Sequence, residues 1–330
     1  MSQSRVSLNC PSSNRVSSNR VSLNRVSVIG LGLMGGSLAM ALRRAGLASH
    51  IVGCGREVLV QRAIEMGAID AGTQSATEAA AASDYVFLCT PVETSIALLA
   101  QIAPHLRQGA LVSDVGSTKQ TFAAAAREIF GAQAAERVLP GHPLAGRELS
   151  GLEHASADLY QDCVWVLTPL ANDVANDVAS GVANGAANDV ADGLPDGAEL
   201  TAAQRVLVSA LEAIGARVVV STPQEHDRIL AYTSHLPQML STALSLALAE
   251  TFEADDPALQ IHAGGLRTML RLASSEPKMW EQIAASNQQN ISDALQRMEA
   301  TLKTLRESLG QPEFRAKFEQ AREFAKFLKS

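Results

Sequence analysis

Two groups of residues in this chain have types and spacings suited to chemistry. Gly30-Leu31-Gly32-Leu33-Met34-Gly35 carries three glycines at G-x-G-x-x-G spacing. Where such a loop leaves a strand and opens a helix, the first glycine permits the tight turn and the second lets a pyrophosphate approach the backbone. The third lets helix and strand pack closely. The other group centres on His142, set between Gly141 and Pro143 in RVLPGHPLAGRELSG, residues 137–151. A neutral imidazole can accept a proton near pH 7, the task of a general base. SDVGSTKQ, with Asp114, Ser117 and Lys119, precedes it at the end of a strand pattern, so Ser117 and His142 could both face a nicotinamide ring. A structural histidine is the plainer alternative, and the remaining sequence decides between the two.

The end of the second strand pattern bears on which dinucleotide binds. An NAD site normally has Asp or Glu there for the ribose 2′-hydroxyl, whereas this chain reads Gly53-Cys54-Gly55-Arg56. Without the carboxylate, and with a guanidinium able to meet a 2′-phosphate, NADP is favoured. NAD stays open, because Glu57 could accept the ribose hydroxyl or pair with Arg56. The expected cofactor contacts are Gly30, Gly32, Leu33, Met34, Gly35, Gly55 and Arg56, together with Thr90 and Pro91 after the next strand.

These residues need a scaffold, and the pattern supplies one. RVSVIG, HIVGCG, YVFLCT and ALVSDVG are apolar, strand-like runs. They alternate with helical stretches at about 35–45, up to about 66, and about 93–105. Apolar runs between amphipathic helices predict a parallel sheet covered on both faces, a doubly wound α/β domain of Rossmann type. A further strand is expected to bring His142 to the same carboxyl edge. ARVVVST then reads as a short strand, and residues 223–329 as an almost unbroken helical region.

The expected organisation is a disordered tail at 1–24, a dinucleotide-binding domain at 25–170, a low-complexity insertion at 171–198, the end of the first domain at 199–222, and a helical substrate and dimerisation domain at 223–330. The tail repeats RVSLN-like units. Its Ser, Asn and Arg bury too little apolar surface to offset ordering entropy, although an Arg- and Ser-rich stretch free of acids also suits a transit peptide. The insertion repeats Ala-Asn-Asp-Val, with weak helix and strand propensity.

Composition narrows the function. The chain has 330 residues, 47% of them hydrophobic, and a formal charge of -7, which argues against nucleic-acid and anionic-membrane partners. Cys10, Cys54, Cys89 and Cys163 lack metal-type spacing. With no apolar span or signal peptide in the pattern, the expected location is the cytoplasm.

VIGLGLMGGSLA, SDVGSTKQ, GHPLAGRELSG, TPQEHDRILAYTSHLPQMLSTAL and RLASSEPKMWEQI, in that order, resemble the prephenate/arogenate dehydrogenase family of tyrosine biosynthesis. The resemblance covers residues 25–330 apart from the insertion. It implies NAD(P)-dependent oxidation of a cyclohexadienyl ring hydroxyl with loss of the ring carboxylate as CO2, giving 4-hydroxyphenylpyruvate from prephenate or tyrosine from arogenate. By the same resemblance His142 is the catalytic base and Ser117 orients the hydroxyl. Arg271 binds a substrate carboxylate, His235 and Gln238 line the substrate site, and Glu148 sits at the pocket mouth. Trp280 is expected to pack near the pocket.

Many members that use prephenate have a second histidine where this chain has Gln238. Glutamine removes a possible cation, so arogenate should be accepted. The resemblance also implies a homodimer and no metal. Two alternatives remain: an oxidoreductase like the β-hydroxyacid dehydrogenases or imine reductases, and a non-catalytic NADP-binding regulator.

Overall fold

A computed structural model describes residues 21–146, 150–171, 183–184, 199–253 and 255–327. The first sheet is parallel and has five strands: β1 (Arg25–Ile29), β2 (His50–Cys54), β3 (Ala71–Thr73), β4 (Tyr85–Leu88) and β5 (Leu111–Asp114), in the order β3-β2-β1-β4-β5. Chain order reverses between β1 and β4, which opens a crevice at their carboxyl ends. Helices α1 (Leu33–Arg44), α2 (Glu57–Glu65), α3 (Ala76–Ala81) and α4 (Val92–Ile102) make the crossovers, and α5 (Gln120–Phe130) follows β5. β4 and β5 are buried at every residue, as expected of strands covered on both faces. The short β3 and α3 fall outside the sequence expectation, because AGT is too brief to show a period.

Strand alternation divides the apolar residues between two cores. Val26 and Val28 join Leu38 and Leu42 of α1, whereas Ile29, Val86 and Leu88 pack against Leu99 and Phe122 on the opposite face. The tail was expected to run to residue 24. Residues 1–20 of that stretch lie outside the described residues; within it Leu23 is fully buried and donates its N–H to Leu47 O over 2.7 Å.

The strand carrying His142 also departs from expectation, since it is not a further parallel strand of the first sheet. After a short α6 (Ala134–Arg137), the chain forms a single parallel bridge with β5, Val112 to Val138, rather than a continuous ladder. It then enters a second, mixed sheet made of β6 (Gly141–Pro143), β7 (Val164–Leu167), β8 (Ala183–Asn184) and β9 (Arg217–Val220), ordered β6-β7-β9-β8. His142 pairs antiparallel with Val166 and Pro143 with Trp165, and Leu144 N donates to Val164 O beyond them. Helix α7 (Ala202–Ala213) begins with a capping box between Thr201 and Gln204 and covers the inner face of this sheet with Leu207 and Leu211.

The helical part comprises α8 (Pro223–Leu230), a π-helical turn at Ala231–His235, α9 (Leu236–Thr251), α10 (Gly264–Leu270), α11 (Pro277–Ser286), α12 (Gln288–Glu307) and α13 (Pro312–Phe327). Its own core is small, built from Ala231, Leu236, Ile283, Ile291 and Ala294. Leu246, Ile261, Leu302, Phe318 and Phe324 are left exposed, an unusual apolar load for the surface of one subunit. No helix among the described residues is long and apolar enough to cross a membrane.

Candidate active site

The glycine loop stands at the carboxyl edge of β1. Gly30 has φ +105°, and a Cβ there would lie 2.5 Å from Cys89 O, so a side chain is excluded by both backbone and neighbours. A Cβ on Gly35 would fall 2.0 Å from Gly30 O, which is the close helix approach expected of the third glycine. A Cβ on Gly32 would meet nothing within 4 Å, so the fold itself does not require glycine at the helix entrance. That open space lies at the α1 N-terminus, where free N–H groups favour a phosphate.

Beside it is a cavity of about 260 Å³ lined by Gly30, Cys54, Gly55, Ser75, Ala76 and Thr90. Thr90 bonds Ser95 Oγ over 2.8 Å, and Pro91 is the N-cap of α4. Arg56 is exposed at the N-cap of α2, with the half-buried Gly55 before it. The space and donors fit the adenosine and pyrophosphate of a dinucleotide.

Beyond the sheet edge, a buried polar chain surrounds His142. Asp114 ends β5 fully buried and carries three donors: Lys119 Nζ at 2.5 Å and Gly116 N at 2.9 Å on Oδ2, and Gly141 N at 3.1 Å on Oδ1. This carboxyl group therefore ties the Ser117 loop to the start of the histidine strand. Lys119 is itself fully buried, with its ammonium 5.5 Å from the Phe122 ring centre. Ser117 is half-buried in the same loop.

His142 Nδ1 lies 2.9 Å from His226 Nε2, and His226 Nδ1 lies 2.7 Å from Asp227 Oδ1. Asp227 also accepts from Lys119 N on Oδ1 at 2.8 Å and from Gln120 N on Oδ2 at 2.9 Å. Burial holds the His142 pKa well below the usual imidazole value, with His226, Lys119 and His235 adding to the effect. Burial also lowers His226, although Asp227 pulls the other way. Both rings are neutral near pH 7.

His226 and Asp227 were not singled out in the sequence, although both lie within TPQEHDRIL. Thr222 caps α8 by accepting from Glu225 N, with Pro223 in its first turn. This sets the start of the helix on whose buried face His226 and Asp227 lie. A signal existed: two ionisable residues at buried positions of an amphipathic helix need partners.

The helical part closes around the same point. Asn287, at the junction of α11 and α12, donates from Nδ2 to Asp227 O at 2.8 Å and lies 3.2 Å from His235 Nδ1. Asn287 Oδ1 accepts from Asn290 Nδ2, so its donor end is the one facing His235. Burial pushes the His235 pKa down to about 4, and its ring packs edge-on against Trp280 with centroids 5.9 Å apart. Thr118 and Ser286 share a 2.8 Å hydrogen bond across the two halves.

Gln238 is buried on α9. Its Nε2 donates to Leu272 O at 2.7 Å and its Oε1 accepts from Ser275 Oγ at 3.2 Å. Both ends of the amide expected to meet substrate thus already hold the turn at Arg271–Ser274, whose first residue, Arg271, is exposed. Glu148 lies outside the described residues.

A doubly wound sheet with a glycine loop at its reversal point, joined through a buried polar site to a helical half, defines the two-domain nucleotide-binding dehydrogenase class. Residues 38–184 match "Prephenate dehydrogenase, nucleotide-binding domain", and residues 222–329 match "Prephenate dehydrogenase, dimerization domain". The chain belongs to the prephenate dehydrogenase family.

It is 29% identical over 288 residues to cyclohexadienyl dehydrogenase of Zymomonas mobilis, covering 85% of this chain and 87% of the relative. To prephenate dehydrogenase of Lactococcus lactis it is 27% identical, covering 78% of this chain but only 64% of the relative's length. Among solved structures it superposes on prephenate dehydrogenase from A. aeolicus in complex with hydroxyphenyl propionate and NAD+. The TM-score is 0.74 at 28% identity, over 93% of this chain and 96% of that one.

Proposed function

We propose that the protein oxidises prephenate, arogenate or both with NAD(P), releasing the ring carboxylate as CO2. The observation that carries the reading is His142: a neutral histidine held by a buried polar chain at the carboxyl edge of a nucleotide-binding sheet. Burial alone would lower the pKa of a structural histidine too, so the position beside the nucleotide-binding edge carries the argument.

When bound, the nicotinamide supplies the hydride acceptor. This chain's residues supply the rest. His142 Nε2 takes the ring hydroxyl proton as the carbinol carbon becomes a carbonyl, and Ser117 orients that hydroxyl. The carboxylate carbon then leaves as CO2, and its bonding electrons enter the dienone, which becomes aromatic. Arg271 binds a substrate carboxylate in a bidentate pair, and Trp280 with His235 forms one wall. With its pKa near 4, His235 contributes an uncharged hydrogen-bonding group rather than a cation.

Arg56 at the α2 N-cap favours NADP, and the cavity beside Gly55 accepts the adenosine. Gln238 leaves no cation at its position, which suits arogenate with its added ammonium. The exposed Leu246, Leu302, Phe318 and Phe324 of the helical half support a homodimer as the working unit.

The test is reduced-cofactor formation from prephenate and arogenate with NAD and NADP in all four pairings, beside His142→Asn. Turnover that falls by about 10²–10⁴ in the variant supports the reading. Turnover that survives the substitution, or its absence in every pairing, overturns it.

A further inference from the structure

We infer that Asp227 and His226 act as positioning residues that fix the tautomer of His142 and share the proton it receives, so the base is a three-residue chain. The inference rests on the dehydrogenase reading above, and the geometry carries it.

The Asp227 carboxyl group accepts backbone hydrogens on both oxygens, from Lys119 N and Gln120 N, so toward His226 it can only accept. His226 Nδ1, 2.7 Å away, must then carry a hydrogen. A neutral ring with its hydrogen on Nδ1 has a bare Nε2, and that atom faces His142 Nδ1 at 2.9 Å. His142 Nδ1 must therefore donate, which leaves Nε2 of His142 without a hydrogen and available to a substrate hydroxyl. One carboxyl group thus sets the roles of four ring nitrogens.

Charge follows the same line. Asp114, Lys119 and Asp227 are all fully buried, and the first two form a pair. Asp227 has no lysine or arginine within ion-pair distance among the described residues, and its buried side-chain partner is His226, neutral until a proton arrives. When Nε2 of His142 takes the substrate proton, the proton on Nδ1 can pass to His226 Nε2. The new cation then sits directly on Asp227. The three residues gain one proton in all, the one the substrate hydroxyl gives up: it enters at His142 Nε2, and the proton already on His142 Nδ1 moves to His226 Nε2.

The experiment is ¹⁵N NMR of the histidine ring nitrogens in the full-length protein, with steady-state kinetics of two variants. In the wild type, His142 and His226 should both be protonated at Nδ1 and bare at Nε2. Asp227→Asn can present an amide hydrogen to His226 Nδ1, which would reverse both rings and lower kcat by on the order of 10³-fold. His226→Gln can donate to Asp227 and accept from His142. It should keep the His142 tautomer and lose only the second proton site, lowering kcat about tenfold with KM little changed.

A wild-type His142 protonated at Nε2 overturns the inference even if a variant fails to fold. So does a folded Asp227→Asn protein with wild-type kcat. Failure of the dehydrogenase reading is seen separately, as absent wild-type turnover, while the nitrogen signals still report the tautomer.

Discussion

Asp114 Oδ2 and Lys119 Nζ are 2.5 Å apart with both side chains fully removed from water, directly beneath the strand that carries His142. Burying two charges is costly, and attraction offsets that cost only when the remaining hydrogen-bonding capacity is used. On the carboxylate side it is, through Gly116 N and Gly141 N. The pair serves to hold the Ser117 loop against β6. Asp114→Asn should therefore destabilise the protein by about 3–5 kcal/mol, because Lys119 would stay buried without its counter-ion. Urea denaturation measures this, and a midpoint equal to wild type would show that Lys119 escapes to solvent.

Acid should unfold the protein through its neutral histidines. His235 has a folded pKa of about 4, below the ordinary value near 6.5 of the unfolded chain. Between those values the unfolded chain binds more protons, so stability is complete above about pH 6.5 and falls as pH drops toward 4. His142 and His226, also lowered, act in the same direction. From pH 7 to pH 5, His235 alone accounts for about 2 kcal/mol. Denaturant midpoints at the two pH values, for wild type and His235→Asn, should show a shallower pH slope in the variant.

The two helix-side glycines should separate folding from binding. Gly35→Ala forces a methyl to 2.0 Å from Gly30 O, and backbone cannot yield as a side-chain tip can, so a loss of about 1–3 kcal/mol or more is expected. Gly32→Ala meets open space and should fold normally. Its methyl would stand where a pyrophosphate approaches, so dinucleotide affinity should fall while thermal stability holds. Cofactor titration followed by fluorescence, beside thermal melts, reads both. Equal effects of the two substitutions on melting would remove the distinction.

Sequence legibility differed between the sheet and the site. Four of the five strands of the first sheet, all but β3, and the glycine turn are written in local signals: apolar runs and glycines at fixed spacing. In the second sheet ARVVVST reads as the strand that becomes β9, but the pairing of β6 is illegible because Gly141–Pro143 is three residues long and finds its partner across about twenty residues. His142 was singled out by type and context, but its partners come from α8, more than eighty residues away. Nothing in the local pattern of His226 announces that pairing. Gln238 was read as a substrate contact from its place in SHLPQ, yet its amide is engaged by Leu272 and Ser275. Such an engagement depends on how a later turn folds back on α9, which no local period encodes.

That engagement makes Gln238 a lever on Arg271. The Arg271–Ser274 turn is fastened to α9 by Gln238 Nε2 at Leu272 O over 2.7 Å, and the end of α10 just before it by Ser241 Oγ at Met269 O over 2.6 Å. Loss of a buried hydrogen bond with one partner left unsatisfied costs about 1–3 kcal/mol, here concentrated on one short turn. In Gln238→Ala the Arg271 backbone should shift while His142, anchored from the other domain, stays in place. Substrate KM should therefore rise about tenfold, the equivalent of 1.4 kcal/mol, with kcat changed far less. Gln238→Glu keeps the acceptor for Ser275 but presents a carboxylate to Leu272 O, so it should behave like the alanine variant. Initial rates over a substrate series separate the two parameters. A fall in kcat at constant KM would instead give Gln238 a part in the chemical step.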